Sequence, residues 1–171
     1  PPAYDMLDRI TVSKPEPPLW PAPTRHGGGV AASQDRLIWI VDPETGHRES
    51  IVWAAGACLR QVAFESLASQ TAALERLAGS PPQPAIIITD FRGDLRINGA
   101  EFIAQARSRC RPETRFVMFS ALVEDAAAFR RLAGQQCDLP NAIVPKPDVF
   151  KLARALAELL PPLPWDNRAN E

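Results

Sequence analysis

Ala85-Ile86-Ile87-Ile88-Thr89-Asp90 is the stretch whose reading decides the fold. Its apolar residues, largely β-branched, run on without alternation and stop at a threonine and an aspartate. A half-exposed strand alternates apolar and polar residues; an unbroken run belongs to a strand buried on both faces, as in a parallel sheet. Leu37-Ile38-Trp39-Ile40-Val41-Asp42 and Phe116-Val117-Met118-Phe119-Ser120 repeat the pattern, and Ala142-Ile143-Val144-Pro145 delivers Lys146 and Pro147. In an open α/β sheet, ligands sit beyond the carboxyl ends of the strands. Asp42, Asp90, Ser120 and Lys146 are therefore candidates for one shared site, a set of groups suited to handling a phosphoryl group.

Between the strands the apolar spacing changes to three and four, the period of a helix with one buried face. Ile51, Ala54, Ala55 and Cys58 make such a stripe, and a short second strand is expected from Arg60 to Glu65. Leu67, Leu74, Leu77 and Ala78 predict a second helix ending at Gly79-Ser80-Pro81-Pro82. A third begins near Gly99 and buries Phe102, Ile103 and Ala106, and a fourth carries Phe129, Leu132 and Ala133. The fifth carries Val149, Leu152, Ala153, Leu156, Leu159 and Leu160. Five β-α units with short connections predict an α/β fold, a five-stranded parallel sheet with helices on both faces. Trp39 and Trp53 read as core or helix-face residues.

A chain of 171 residues suits one domain with tails. Residues 1–35 form a Pro/Gly-rich segment, with seven prolines in the first 23 positions and then Gly27-Gly28-Gly29. Tyr4, Met6, Leu7, Ile10, Leu19 and Trp20 make it more apolar than a spacer needs, which suggests a tail that docks. The domain spans 36–160, and prolines after Leu160 open a second tail, 161–171, containing Trp165. The formal charge of −1 and pI near 6.2 favour neither nucleic acid nor an anionic membrane as partner. No apolar run reaches the length of a membrane span, and no signal peptide opens the sequence. Cys58, Cys110 and Cys137 lack CxxC spacing and read as buried or half-buried structural thiols in a reduced, cytoplasmic setting. His26 and His47 have no second ligand at metal spacing and read as exposed polar residues.

The ordered set of strand-end residues resembles the receiver domain of two-component response regulators over 36–160. The matching residues are Asp42 with Arg48 six positions on, Asp90, Gly99, Ser120-Ala121 and Lys146-Pro147. The resemblance implies a flavodoxin-like fold of strand order 2-1-3-4-5 and a signalling module rather than an enzyme. Asp90 would be the phosphoryl acceptor. Attack by a carboxylate on phosphorus needs alignment and charge neutralisation more than basicity. Lys146 and Ser120 would face the phosphoryl oxygens. Mg²⁺ would be held by Asp42, Asp90 and the Arg92 backbone, with Glu44 as a further candidate. The implied partners are a histidine kinase or histidine phosphotransfer protein and a downstream target protein.

The chain departs from the family in three places. Receivers carry two adjacent acidic residues after the first strand; here Pro43 follows Asp42, which weakens the expected Mg²⁺ site unless Glu44 substitutes. The loop Phe91–Asn98 is one residue longer than usual and lacks the customary Met/Leu-Pro, and its Arg92 side chain is placed to pair with Asp90 or Asp42. Ile143 replaces the switch aromatic. These departures strengthen the alternative to a phospho-accepting receiver, a phosphorylation-independent pseudo-receiver acting as a protein-interaction module. A flavodoxin-like FMN or nucleotide enzyme is disfavoured, because Asp42-Pro43-Glu44 stands where a phosphate loop would and repels phosphate. With no output motif after the fifth helix, the expectation is a single-domain regulator or the end of a larger kinase.

Overall fold

The computed structural model describes residues 36–93 and 96–161. Both tails, with Trp20 and Trp165 and the docking expected of the first, lie outside the described residues. Ten elements alternate along the chain. They are β1 (Leu37–Val41), α1 (Thr45–Cys58), β2 (Ala63–Leu67), α2 (Gln70–Ala78), β3 (Ile86–Thr89), α3 (Gly99–Arg107), β4 (Arg115–Ser120), α4 (Ala126–Ala133), β5 (Ala142–Pro145) and α5 (Val149–Leu159). The strands form one sheet in the order β2-β1-β3-β4-β5, every pair parallel. This is the α/β fold and strand order expected.

The unbroken apolar runs separate into two cores by the two-residue period of a strand. Trp39, Val41, Ile87, Phe116 and Met118 face one side, where α2, α3 and α4 contribute Leu74, Phe102, Ile103 and Phe129. Ile38, Ile40, Ile86, Ile88, Val117 and Phe119 face the other, against Ile51, Ala55, Leu152 and Leu156 of α1 and α5. All of β3 is buried, whereas the edge strand β2 has no fully buried residue. No described helix is long and apolar enough to cross a membrane.

Helix starts follow their caps. Ser69, Asn98, Asp125 and Asp148 each accept a backbone N–H of the first turn of α2, α3, α4 and α5. At α3 this is a full capping box, with Glu101 Oε2 accepting from Asn98 N–H. Four sequence expectations shift. The second strand lies at 63–67, and Leu67 ends it, in register with Val41, because the Ser69 cap delays the helix to Gln70. Leu132 is 51% exposed, since the short α4 buries only Ala128 and Phe129. Trp53 is 57% exposed on the outer side of α1, its ring 6.2 Å edge-on from that of Phe150. Cys58, at the end of α1, is exposed rather than half-buried.

Candidate functional site

The parallel ladders run one residue past the strands, and this extension builds the site. Asp42 N–H donates to Leu67 O, Asp90 N–H to Val41 O and Lys146 N–H to Ser120 O. Asp42, Asp90 and Lys146 therefore emerge at the same carboxyl edge, at the point where the chain order reverses around β1 and β3.

Lys146 is the hub. Its Nζ donates to Asp42 Oδ2 and to Asp90 Oδ2, both at 2.7 Å, and lies 3.1 Å from His47 Nδ1. The Lys146 side chain is 7% exposed, Asp42 4% and Asp90 14%, so the group is largely withdrawn from water. Burial by itself would lower the pKa of Lys146, but the hydrogen bonds and charges of Asp42 and Asp90 outweigh it and raise the pKa above the ordinary 10.5. Its ammonium also lies 5.7 Å above the Phe119 ring, a weak further attraction.

The surrounding contacts hold each carboxylate in place. Asp42 Oδ1 accepts from Glu44 N–H at 2.8 Å, and Arg48 Nη1 donates to the Asp42 carbonyl at 2.5 Å. The fully buried Gln70, at the start of α2, donates through Nε2 to Thr89 Oγ1 and to the Asp90 carbonyl, both at 3.2 Å. Gly99 N–H donates to Phe91 O, and a Cβ at Gly99 would overlap the Asp90 carbonyl oxygen. Only glycine lets α3 begin this close to the acceptor candidate. Ser120 is buried at the end of β4, its Oγ accepting from Leu122 N–H at 3.2 Å.

Asp42, Asp90 and Lys146 are thus joined through their side chains, and Ser120 is on the adjacent strand end, bonded to Lys146 through its backbone carbonyl while its hydroxyl serves Leu122 N–H. Arg92 meets Asp90 Oδ1 through its backbone N–H at 3.4 Å; its side chain is exposed, and the ion pairs of Asp42 and Asp90 run instead to Lys146, with His47 Nδ1 3.4 Å from Asp42 Oδ1. Glu44 is 69% exposed and its Oε2 faces His47 Nε2 at 3.5 Å. His47 is not the detached polar residue that its sequence context suggests. It lies on the first turn of α1, whose start just after Asp42 turns the imidazole over the site. Gln70 was equally illegible, because its role depends on α2 packing beside β3. The sequence signal for the histidine is its spacing of five residues from Asp42 across a helix start.

A scan against protein-family models finds no match, and no curated protein matches the sequence. Solved structures do. The response regulator domain of Thermotoga maritima CheB superposes with a TM-score of 0.54 at 20% identity, over 71% of this chain and 90% of that one. A response regulator receiver protein from Sinorhizobium medicae gives 0.58 at 21% identity, over 72% and 92%. The chain has the receiver-domain fold. The apo receiver domain of nitrogen regulatory protein C also matches, with a TM-score of 0.56 at 19% identity, over 74% of this chain and 94% of that one.

A divalent ion is the group this fold would be expected to hold, and the donors here do not suit it. Mg²⁺ prefers carboxylates and other oxygen donors at octahedral positions. One oxygen of each aspartate is committed to Lys146, and Asp42's second oxygen accepts the Glu44 N–H. Pro43 supplies no side-chain ligand. Among the described residues no three His, Cys, Asp or Glu side chains come together in a way that could hold a metal ion.

Proposed function

We propose that this chain is a signalling receiver module in which Asp90 accepts a phosphoryl group from a histidine kinase or histidine phosphotransfer protein. The single observation that carries the reading is the Asp90 carboxylate, at the carboxyl edge of the sheet, 2.7 Å from a buried ammonium. An oxygen of Asp90 forms a bond to phosphorus while the donor's phosphorus–nitrogen bond breaks, and the departing imidazole takes up a proton. Lys146 offsets charge on the transferred group, and Ser120, at the end of the adjacent β4, is the hydroxyl assigned to its oxygens. The altered site is then read by a downstream target protein.

The test is incubation with acetyl phosphate, with and without Mg²⁺, followed by intact-mass spectrometry. One acid-labile phosphoryl group is expected, and none in Asp90→Asn. Labelling that persists in Asp90→Asn removes the assignment. One specific observation favours a second reading, a phosphorylation-independent interaction module. In the unmodified protein the three hydrogens of the Lys146 ammonium already have three acceptors. Absence of labelling, where a control receiver labels fully, selects that reading.

A further inference from the structure

We propose that Lys146, steadied by His47, is the resident cation of this site, and that its ammonium stands in the place of a divalent metal ion. The inference holds whether or not Asp90 is phosphorylated, because it concerns how two carboxylates are kept together in the unmodified protein.

Two aspartates at one sheet edge repel each other, and burial strengthens the repulsion. A cation between them relieves that repulsion and lets both stay ionised. Here a single nitrogen is 2.7 Å from an oxygen of each, and the side chain that brings it is only 7% exposed. An ammonium has three N–H donors and no acceptor. Asp42 Oδ2, Asp90 Oδ2 and His47 Nδ1 provide three acceptors, so the cation is saturated without water or a further ligand. The contact also specifies the imidazole. To accept from Lys146, Nδ1 carries the lone pair rather than donating to Asp42 Oδ1, 3.4 Å away, and the proton is on Nε2, facing Glu44 Oε2 at 3.5 Å. Glu44, the carboxylate that could have substituted for a missing metal ligand, is thereby directed outward to the histidine. Pro43 completes the exchange: it removes an acidic side chain that a metal would need and that one lysine would leave uncompensated. Arg48, a second cation beside Asp42, is spent on the Asp42 carbonyl and Thr45 Oγ1.

Two measurements on the full chain test this. The first is ¹⁵N NMR of the lysine Nζ groups at neutral pH, with the Lys146 resonance assigned by its loss in Lys146→Met. A slowly exchanging Lys146 ammonium, unmoved by about 10 mM MgCl₂ relative to NaCl of equal ionic strength, is expected. Displacement or loss of that signal on adding MgCl₂ overturns the proposal. His47→Phe is expected to speed the exchange of the Lys146 ammonium several-fold; unchanged exchange overturns the part given to His47. The second measurement is thermal unfolding. The unaltered protein should show no shift with MgCl₂, whereas Lys146→Met, with two carboxylates left uncompensated, should gain about 4 °C. A folded Lys146→Met protein that ignores MgCl₂ overturns the proposal, as does stabilisation of the unaltered protein by Mg²⁺ that disappears in Asp42→Asn. Should Lys146→Met fail to fold, the resonance is assigned by elimination with other lysine variants, and the NMR titration of the unaltered protein decides.

Discussion

At the scale of single residues, Lys146 holds together groups from β1, β3 and β5 at once. Replacing it with methionine keeps an unbranched side chain one atom shorter and leaves Asp42 and Asp90 largely buried without the lysine's counter-charge. Breaking a buried pair in this way typically costs about 3–5 kcal/mol, so Lys146→Met should lower the urea midpoint markedly. The pH dependence has a definite sign. The folded-state pKa of Lys146 lies above its ordinary 10.5, so the stabilisation is fully present below that value and is lost as pH rises through the raised one. Urea midpoints measured from pH 8 upward should therefore fall at strongly alkaline pH more steeply in the unaltered protein than in Lys146→Met; parallel curves would contradict the assignment. Gly99 offers a purely steric test. A methyl group there would overlap the Asp90 carbonyl oxygen, so Gly99→Ala should destabilise by about 1–3 kcal/mol and displace Asp90. An unchanged midpoint would show that α3 can back away without cost.

At the scale of elements, β3 and α3 frame Asp90 from its two sides. Ile87 is fully buried in the core shared with Trp39 and Phe102, so Ile87→Ala should cost about 2–5 kcal/mol through lost transfer energy and the cavity left behind. The Asn98 cap is smaller in scale. Its side chain accepts from Ala100 N–H and Glu101 N–H, and Asn98→Ala should cost about 1 kcal/mol. Chemical denaturation distinguishes the two. If both variants lose the same amount, α3 is held by its cap more than by the sheet, contrary to its burial of Phe102, Ile103 and Ala106. Local pattern set these elements well where one face is buried. It failed for Leu67, which ends β2 because the Ser69 cap starts α2 later, and for Leu132, because helical spacing cannot say whether a neighbouring element is there to cover the residue.

At the scale of the whole molecule, the question is where a change at Asp90 is felt. Ile143 on β5 is half-buried against the core that holds Phe116 and Met118, and it cannot act as a rotating aromatic. A phosphate mimic such as beryllofluoride should therefore perturb the region 124–150 only modestly. The larger change in hydrogen exchange is expected in the loop 91–98, which joins Asp90 to the start of α3. Dominant protection changes across 124–150, with 91–98 silent, would show that another residue does the work of the missing aromatic.

The sequence by itself determined that a parallel sheet forms and which residues end its strands. An unbroken β-branched run has no polar face to give to water, and so it is stable only between two layers of helix. The same runs, read to their last polar residue, named Asp42, Asp90, Ser120 and Lys146. Only the tertiary structure decided how those groups are paired. Lys146 is 104 residues from Asp42 and 56 from Asp90, and nothing local specifies that one nitrogen bridges both. Nor does local pattern place His47 over that nitrogen, because its position depends on how α1 leaves the sheet after Pro43. Distances set by packing, rather than residue types alone, bring these groups into contact.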